Sequence, residues 1–496
     1  LKLDEAFAAA RATLDGEDAT FLTGLRERLD ERMRVVLLGR VSAGKSTLTN
    51  ALLGGLELPT GRLEVTFNVN WLRYGSKPSL TVHYRDGRPP VQRPVEDLRR
   101  LAARADDDPD LQAELRAIEH LVVTVPHPAL RDFDLIDTPG LDSRHAEDSA
   151  NTLHFLGREE GDGAGGTAAG RASQADAFIY VLVRGQHHDE RSMLLDLQSS
   201  EVSGFGPMNT VGVLNRVEGL WTPGAADFMA TGREAAGTLL RSAGLQRVVL
   251  DLIPVAVKTA AAAERLDEAG LADLQTLAKL GVPRVREMLA YASEFPRQEG
   301  TGLTPGRRLA LVETFTQAGI DMAVTLIDEG ADTVEGLRTE MVERTGLGPL
   351  RRTLVGHFGG RSRLIKADQV FRQVRLLERD GAGPGVNAVL RAFRAAELAA
   401  APDFHRLRLA RACYDGALDL PAEDIAEILA LAGERDGPGP ASPEAPRGVR
   451  LEEARRRRDA WAARTLEPHA GTTRWAVQTM VELYEDLIHL LDGGDA

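Results

Sequence analysis

An α/β domain with a mostly parallel sheet, covered by helices on both faces and joined to an all-α bundle, is the architecture this 496-residue sequence predicts. Three observations predict it. Between residues 33 and 258, short apolar runs rich in β-formers alternate with helical patterns, as parallel strands with crossover helices do. Beyond residue 258, more than two hundred residues carry helical periodicity and no convincing strand. The first apolar run also ends in a glycine-rich loop that leads straight into a helix.

Taken in order, residues 3–32 read as one helix, with Leu3, Phe7, Leu14, Phe21, Leu22, Leu25 and Leu29 at roughly helical spacing. A buried strand is expected at 33–38. Further strands are expected at 69–74, 80–84, 121–125, 133–136, 177–183, 210–214 and 248–257. The pair 69–74 and 80–84, joined through Gly75-Ser76-Lys77-Pro78, reads as an antiparallel hairpin at one edge. Helices are expected near 304–329, 332–344, 347–379, 386–400, 404–416, 421–433, 449–466 and 471–491. Residues 106–110, 161–170 and 437–448 have loop composition. The division this implies is an N-terminal helix at 1–32 packing with the bundle, an α/β domain at 33–300, and a helical part at 301–496 containing the Pro/Gly-rich loop at 437–448.

Composition narrows the function. With 60 basic and 74 acidic residues the net charge is −14, which repels a polyanion and argues against broad nucleic-acid binding. The single cysteine, Cys413, excludes an intrachain disulfide and suits a reducing compartment, where it reads as a small buried side chain in a helix. The acidic start, Leu1-Lys2-Leu3-Asp4-Glu5, lacks the basic and apolar regions of an export signal. No run reads as the ~18–20 apolar residues needed to cross a bilayer. A cytoplasmic chain, at most resting on a membrane surface, is expected.

Residues Gly39-Arg40-Val41-Ser42-Ala43-Gly44-Lys45-Ser46 match the phosphate-loop pattern G-x-x-x-x-G-K-[ST] in full, between an apolar strand and the helical run from Thr47. Glycines let the backbone N–H groups face phosphates, the helix N-terminus favours the anion, and Lys45 reaches the β and γ phosphates. Ser46 is the expected Mg²⁺ ligand. The apolar strand 133–136 ends in Asp137-Thr138-Pro139-Gly140. There Asp137 is expected to hold Mg²⁺ through water, and the Gly140 N–H to meet the γ phosphate. Between them, Thr66 is the expected hydroxyl ligand in a loop ordered by metal and phosphate, with Thr60 the alternative. The strand 211–214 leads into Asn215-Arg216-Val217-Glu218, where an amide and a carboxylate suit the edges of guanine. Arg216 and Glu218 stand where Lys and Asp are usual, and the longer glutamate leaves ATP or mixed use open beside GTP. Residues 253–258 are a weaker candidate for a loop packing on the base.

These residues resemble a known family. Gly39 through Gly54, the segment Leu58-Pro59-Thr60 with Thr66, and Asp137-Thr138-Pro139-Gly140 are similar to the bacterial dynamin-like proteins, in particular their isoniazid-inducible branch and the related sporulation-septum pair. The likeness continues through 345–358, 361–377 and 451–466. It implies a GTPase head on a helical neck and trunk, GTP/GDP and Mg²⁺ as ligands, and homo-oligomers through paired heads. It also implies a paralogous partner and an anionic membrane surface at the inner face of the cell membrane. By the resemblance Ser42 positions the catalytic water, with Lys45 and Thr66 completing the catalytic set. The glutamine many dynamins carry before that serine is Val41 here, which puts pairing-dependent stimulation in question.

Softer signals have ordinary readings beside functional ones. The basic stretch from Arg351 to Arg379 fits an anionic-lipid surface or a set of internal ion pairs. Arg455-Arg456-Arg457-Arg458 reads as helical charge pairing, and His187-His188-Asp189-Glu190 as a surface loop rather than a metal site. A translational or ribosome-assembly GTPase with a helical partner-binding module is the alternative function.

Overall fold

The computed structural model describes residues 3–54, 68–102, 108–141, 152, 175–183, 206–224, 227–242, 245, 248–291, 293–378, 383–398, 402–414, 416–433, 445–469 and 471–492. Thr60, Thr66, the stretches 161–170 and 187–190, Arg379 and most of 437–448 lie outside the described residues.

Among the described residues nine strands form one sheet: β1 Met33–Gly39, β2 Val69–Tyr74, β3 Ser79–Tyr84, β4 Val91–Arg93, β5 Ile118–Val125, β6 Phe133–Asp137, β7 Ala177–Val183, β8 Thr210–Asn215 and β9 Leu252–Pro254, in the order β4-β3-β5-β2-β6-β1-β7-β8-β9. β1, β7 and β8 are buried at every position, as strands covered on both faces must be. β6, β1, β7, β8 and β9 run parallel, while β2 lies antiparallel to β6. One expectation is corrected here: β2 and β3 do not form a hairpin. β5 is inserted between them, parallel to β2 and antiparallel to β3. Gly75 makes the insertion possible. Its N–H donates to the Val125 carbonyl at 3.1 Å, and a Cβ at Gly75 would sit 2.8 Å from Thr124 Cβ.

The helices up to residue 289 are α1 Leu3–Thr13, α2 Gly16–Asp30, α3 Lys45–Leu52, α4 Leu98–Ala102, α5 Pro109–Ala117, α6 Phe228–Ser242, α7 Val257–Glu264, α8 Glu268–Ala278 and α9 Val282–Leu289. The expected single helix at 3–32 is broken at Gly16, whose φ of 68° belongs to the left-handed region. Residues 109–110, read as loop, open α5 instead: the Asp108 carboxylate accepts the Leu111 N–H at 3.0 Å, and Pro109 occupies the first turn. The last expected strand shrinks from 248–257 to Leu252–Pro254, because α7 begins at Val257.

Beyond it come α10 Pro305–Asp328, α11 Val334–Arg344, α12 Leu347–Arg352, α13 Ser362–Val374, α14 Pro384–Leu398, α15 Pro402–Tyr414, α16 Ala422–Leu431, α17 Arg447–Arg464 and α18 Gly471–Asp492. The expected helix at 347–379 is interrupted by a wider π turn, Thr353–Gly359, where Gly356 and Gly359-Gly360 weaken the α ladder. By length and composition α10 could cross a bilayer, contrary to expectation, but half of its apolar window is buried within the fold. Phe7 of α1 meets Phe393 of α14 edge-on at 4.9 Å. Cys413 lies half-buried in α15, and burial pushes its thiol up to about 12.

Candidate functional site

β1 lies among the parallel strands, between β6 and β7, so its carboxyl end opens where connections diverge to either side. Position Leu37 is in register with Asp137, which brings the end of β6 beside the loop that follows β1. In this loop Lys45 is buried and its Nζ donates to the Gly39 and Arg40 carbonyls at 3.1 and 3.0 Å. The ammonium is thereby held over the curl of backbone that a phosphate would enter. Ser46 Oγ donates to Asp137 Oδ2 at 2.9 Å, so the two expected metal ligands already touch. Thr138 Oγ1 donates to the Leu37 carbonyl at 2.6 Å and ties the turn after β6 to β1.

Glycine is required at three places in this loop system. Gly39 has φ 141°, and a Cβ there would lie 2.5 Å from the Val181 carbonyl oxygen. Gly44 has φ 98°, with Asn215 Nδ2 only 2.3 Å from where a Cβ would be. At Gly140 the Cβ would meet Val41, at 2.4 Å from Cγ2 and 2.6 Å from N. Ser42, without glycine's freedom, holds φ 58°. A non-glycine residue in that region carries strain of about 1–3 kcal/mol, and such strain persists where the surroundings hold it. The Arg216 guanidinium supplies part of that hold, donating to the Ser42 carbonyl at 2.7 Å.

The segment expected to read the base is thus physically coupled to the phosphate loop. Asn215 Nδ2 donates to the Ala43 carbonyl at 2.7 Å, and its Oδ1 accepts the Arg216 N–H at 2.6 Å. Glu218 turns toward α7, where its Oε1 accepts the Lys258 and Thr259 N–H groups at 3.0 and 3.4 Å. Burial pushes the Glu218 carboxyl above its usual range, against the pull of these backbone donors and of Lys258. A cavity of about 710 Å³ runs from Ser42, Gly44 and Thr47 past Asn215, Arg216 and Glu218. That volume lies within the range of small-ligand sites.

Of the expected site residues, the structure gathers Gly39, Ser42, Ala43, Gly44, Lys45, Ser46, Thr47, Asp137, Gly140, Asn215, Arg216 and Glu218 around one loop system; Thr66 is outside the described residues. Sequence reasoning missed Asn50, Ala261, Arg265, Glu313, Thr314 and Thr316, which also line the cavity. The last three come from α10, about a hundred positions beyond the base-reading segment, and no local signal marks them. Thr316 has φ 67° and ψ 169° inside α10 and breaks that helix at the cavity wall. Four arginines of the basic stretch are engaged internally: Arg351 pairs with Glu264 at 2.6 Å, Arg352 with Glu343, Arg372 with Asp368 and Arg375 with Glu397. Arg455, Arg456, Arg457 and Arg458 each meet a carboxylate too.

Residues 35–217 match the dynamin family. Isoniazid-induced protein IniC of Mycobacterium tuberculosis is 28% identical over 437 residues, covering 85% of this chain and 84% of that protein. Dynamin-like protein 2 of Campylobacter jejuni is 33% identical over 155 residues, 31% of this chain and 23% of that protein. A solved structure described as an oligomerised bacterial dynamin pair spans 99% of this chain and 87% of its own, at 13% identity and a TM-score of 0.36. The segment that holds the phosphate loop and the strand β8 is thus similar to the dynamin family, whose members are GTPases, and bacterial dynamin-like proteins are among the relatives of the chain.

Proposed function

We propose that this chain binds and hydrolyses GTP with Mg²⁺ and uses the cycle to pair its heads and act on a bacterial membrane. The observation that carries the reading is the cavity that joins Ser42, Gly44 and Thr47 to Asn215, Arg216 and Glu218, inside the dynamin-family segment. Ser46 and Asp137 offer oxygen donors 2.9 Å apart, a set that suits a hard divalent cation, with Thr66 the third proposed ligand. Bound there, the ion would neutralise charge on the phosphates. The chain's own part is to place Lys45 at the β and γ phosphates, to turn the Gly140 N–H toward the γ phosphate, and to hold a water against Ser42. Val41, 50% exposed beside Gly140, stands on the surface where a second head would dock.

The proposed division keeps 1–32 with the helical part, 33–300 as the GTPase domain and 301–496 as neck and trunk. A shared core from Ala262 to Met341 crosses position 300, so α10 and α11 are the part of the neck fastened to the head. Membrane contact is assigned to the turn between α17 and α18, where Leu466 is 89% exposed. The location that follows is cytoplasmic, peripheral to the inner face of the membrane, with a paralogous dynamin-like chain as partner. Sedimentation with anionic liposomes tests the whole reading. Wild type is expected to pellet with liposomes more with GTP than with GDP, and Lys45→Ala to lose both that difference and hydrolysis. GTP-independent behaviour of wild type would remove the membrane part.

A further inference from the structure

The buried half of β2, from Val69 to Leu72, is apolar except at Asn70, which is 0% exposed. Neither Oδ1 nor Nδ2 of Asn70 has a hydrogen-bond partner among the described residues. Two positions earlier Asn68 is buried as deeply, but its Nδ2 donates to the Leu101 carbonyl of α4 at 3.2 Å. A buried amide left without a partner costs about 1–3 kcal/mol, which a leucine of similar shape would avoid. Asn70 thus carries a cost that its apolar neighbours in β2 do not.

Strand register shows what lies beside it. β2 runs antiparallel to β6, and Asn70 is the direct partner of Asp137. Residues opposed in this way have Cβ atoms about 4.5–5.5 Å apart on one face of the sheet. The core identifies that face. Leu72, Leu135 and Leu37 pack in one cluster with Leu48 and Leu52 of α3, whereas Val69, Trp71 and Ile136 pack in the cluster on the other side. Alternation along the two strands therefore turns Asn70 and Asp137 together toward α3. There Ser46 donates to Asp137 Oδ2 at 2.9 Å.

We propose that Asn70 is a positioning residue for the metal end of this site: its NH₂ steadies the Asp137 carboxylate, and its carbonyl oxygen accepts from water on a bound Mg²⁺. One amide carries both the donor and the acceptor that these two jobs require. Groups behind a metal's direct ligands orient them, and losing such a group changes metal affinity by about 10–100-fold. This role rests on the reading that GTP and Mg²⁺ bind here. It gives the amide its partners in the loaded state, at the expense of the empty one.

The test is a Mn²⁺ titration of the GDP-loaded full-length chain, read by electron paramagnetic resonance. GDP binding in EDTA and the nucleotide-free melting temperature are measured beside it. Asn70→Leu is expected to weaken Mn²⁺ by about tenfold or more, to leave GDP binding in EDTA unchanged, and to keep or raise the melting temperature. Unchanged Mn²⁺ affinity with a lower melting temperature would make Asn70 a purely structural residue and overturn the proposal. So would a loss of GDP binding in EDTA as large as the loss of Mn²⁺. Asn70→Val and Asn70→Thr share one shape and differ by a hydroxyl, so they carry the test if Asn70→Leu fails to fold. Asn70→Thr is then expected to hold Mn²⁺ more tightly than Asn70→Val, and equal affinities overturn the proposal. If folded wild type bound no GDP, or bound GDP but no Mn²⁺, the fault would lie in the GTP or the Mg²⁺ reading, and this role would fall with it.

Discussion

At Gly140 a single methyl group would reach the backbone of the phosphate loop as well as the Val41 side chain, since its nearest backbone neighbours are Val41 N at 2.6 Å and Cα at 2.7 Å. Backbone cannot step aside as a flexible side chain does. Gly140→Ala is therefore expected to cost about 1–3 kcal/mol of overpacking strain, read as a lower melting temperature and weaker GTP binding. Two mostly buried histidines contribute to the acid side of stability. His120 is held down to about 3 by burial, then by His83, stacked on it at 4.3 Å, and by Arg34. His357 is held down to about 4 by burial and then by Arg361. Both are neutral in the fold, whereas the unfolded chain protonates them near the ordinary 6.5. Unfolding thus takes up protons, so their contribution is complete above pH 6.5 and is lost as the pH falls toward 4. Urea titrations at pH 7 and pH 5 are expected to show this loss, and a His120→Gln, His357→Gln double variant to show less of it. The phosphate-loop residues were legible because their chemistry is local and contiguous. The occupation of Glu218 was not, because it depends on where α7 begins.

Helices were legible wherever a cap or an apolar stripe marks them. Thr304 and Thr333 accept the N–H groups of Arg307 and Gly336 at 3.4 and 3.1 Å and start α10 and α11. The Thr316 break and the π turn at Thr353–Gly359 escaped, because tertiary contacts fix both. The α17–α18 pair depends on one acid from a third helix. Glu427 of α16 accepts Trp461 Nε1 at 3.0 Å and the Tyr484 hydroxyl at 2.6 Å, and pairs with Arg457 at 2.8 Å. Removing it strands two buried donors, while Arg457 keeps its pairing with Glu453 at 2.7 Å. Glu427→Ala is expected to cost about 2–6 kcal/mol, the scale for two buried donors left without an acceptor. Amide exchange should quicken across 447–492 while the central sheet keeps its protection; equal quickening in the sheet would mean that the two regions unfold as one.

Over the whole molecule, Asp176 joins the helical part to the sheet. Its carboxylate accepts the Arg34 N–H at 2.9 Å and pairs with Arg28 of α2 at 2.8 Å, while its carbonyl accepts Asn209 and Gln369 side chains at 3.0 Å. Lys366 of α13 donates to the Glu31 carbonyl in the same place, and burial pushes its ammonium below the usual range. Asp176→Ala would leave three cations with Glu31 as the nearby acid. The expected result is faster amide exchange in α2 and α13, with the α17–α18 pair unaffected. Strand positions were legible from apolar runs, but their partners were not: β5 is about forty residues from the hairpin it opens, and the three-residue, largely exposed β4 carries no apolar signal at all. That insertion also bears on how the chain reaches its fold. During synthesis β2 and β3 emerge together, well before the strand that must come to lie between them, so their direct pairing is a ready kinetic trap. Ser76→Asn with Lys77→Gly, which favours a tight two-strand turn, is expected to slow refolding in stopped-flow traces without altering the final structure. Unchanged rates would show that β5 arrives before the wrong pairing can form.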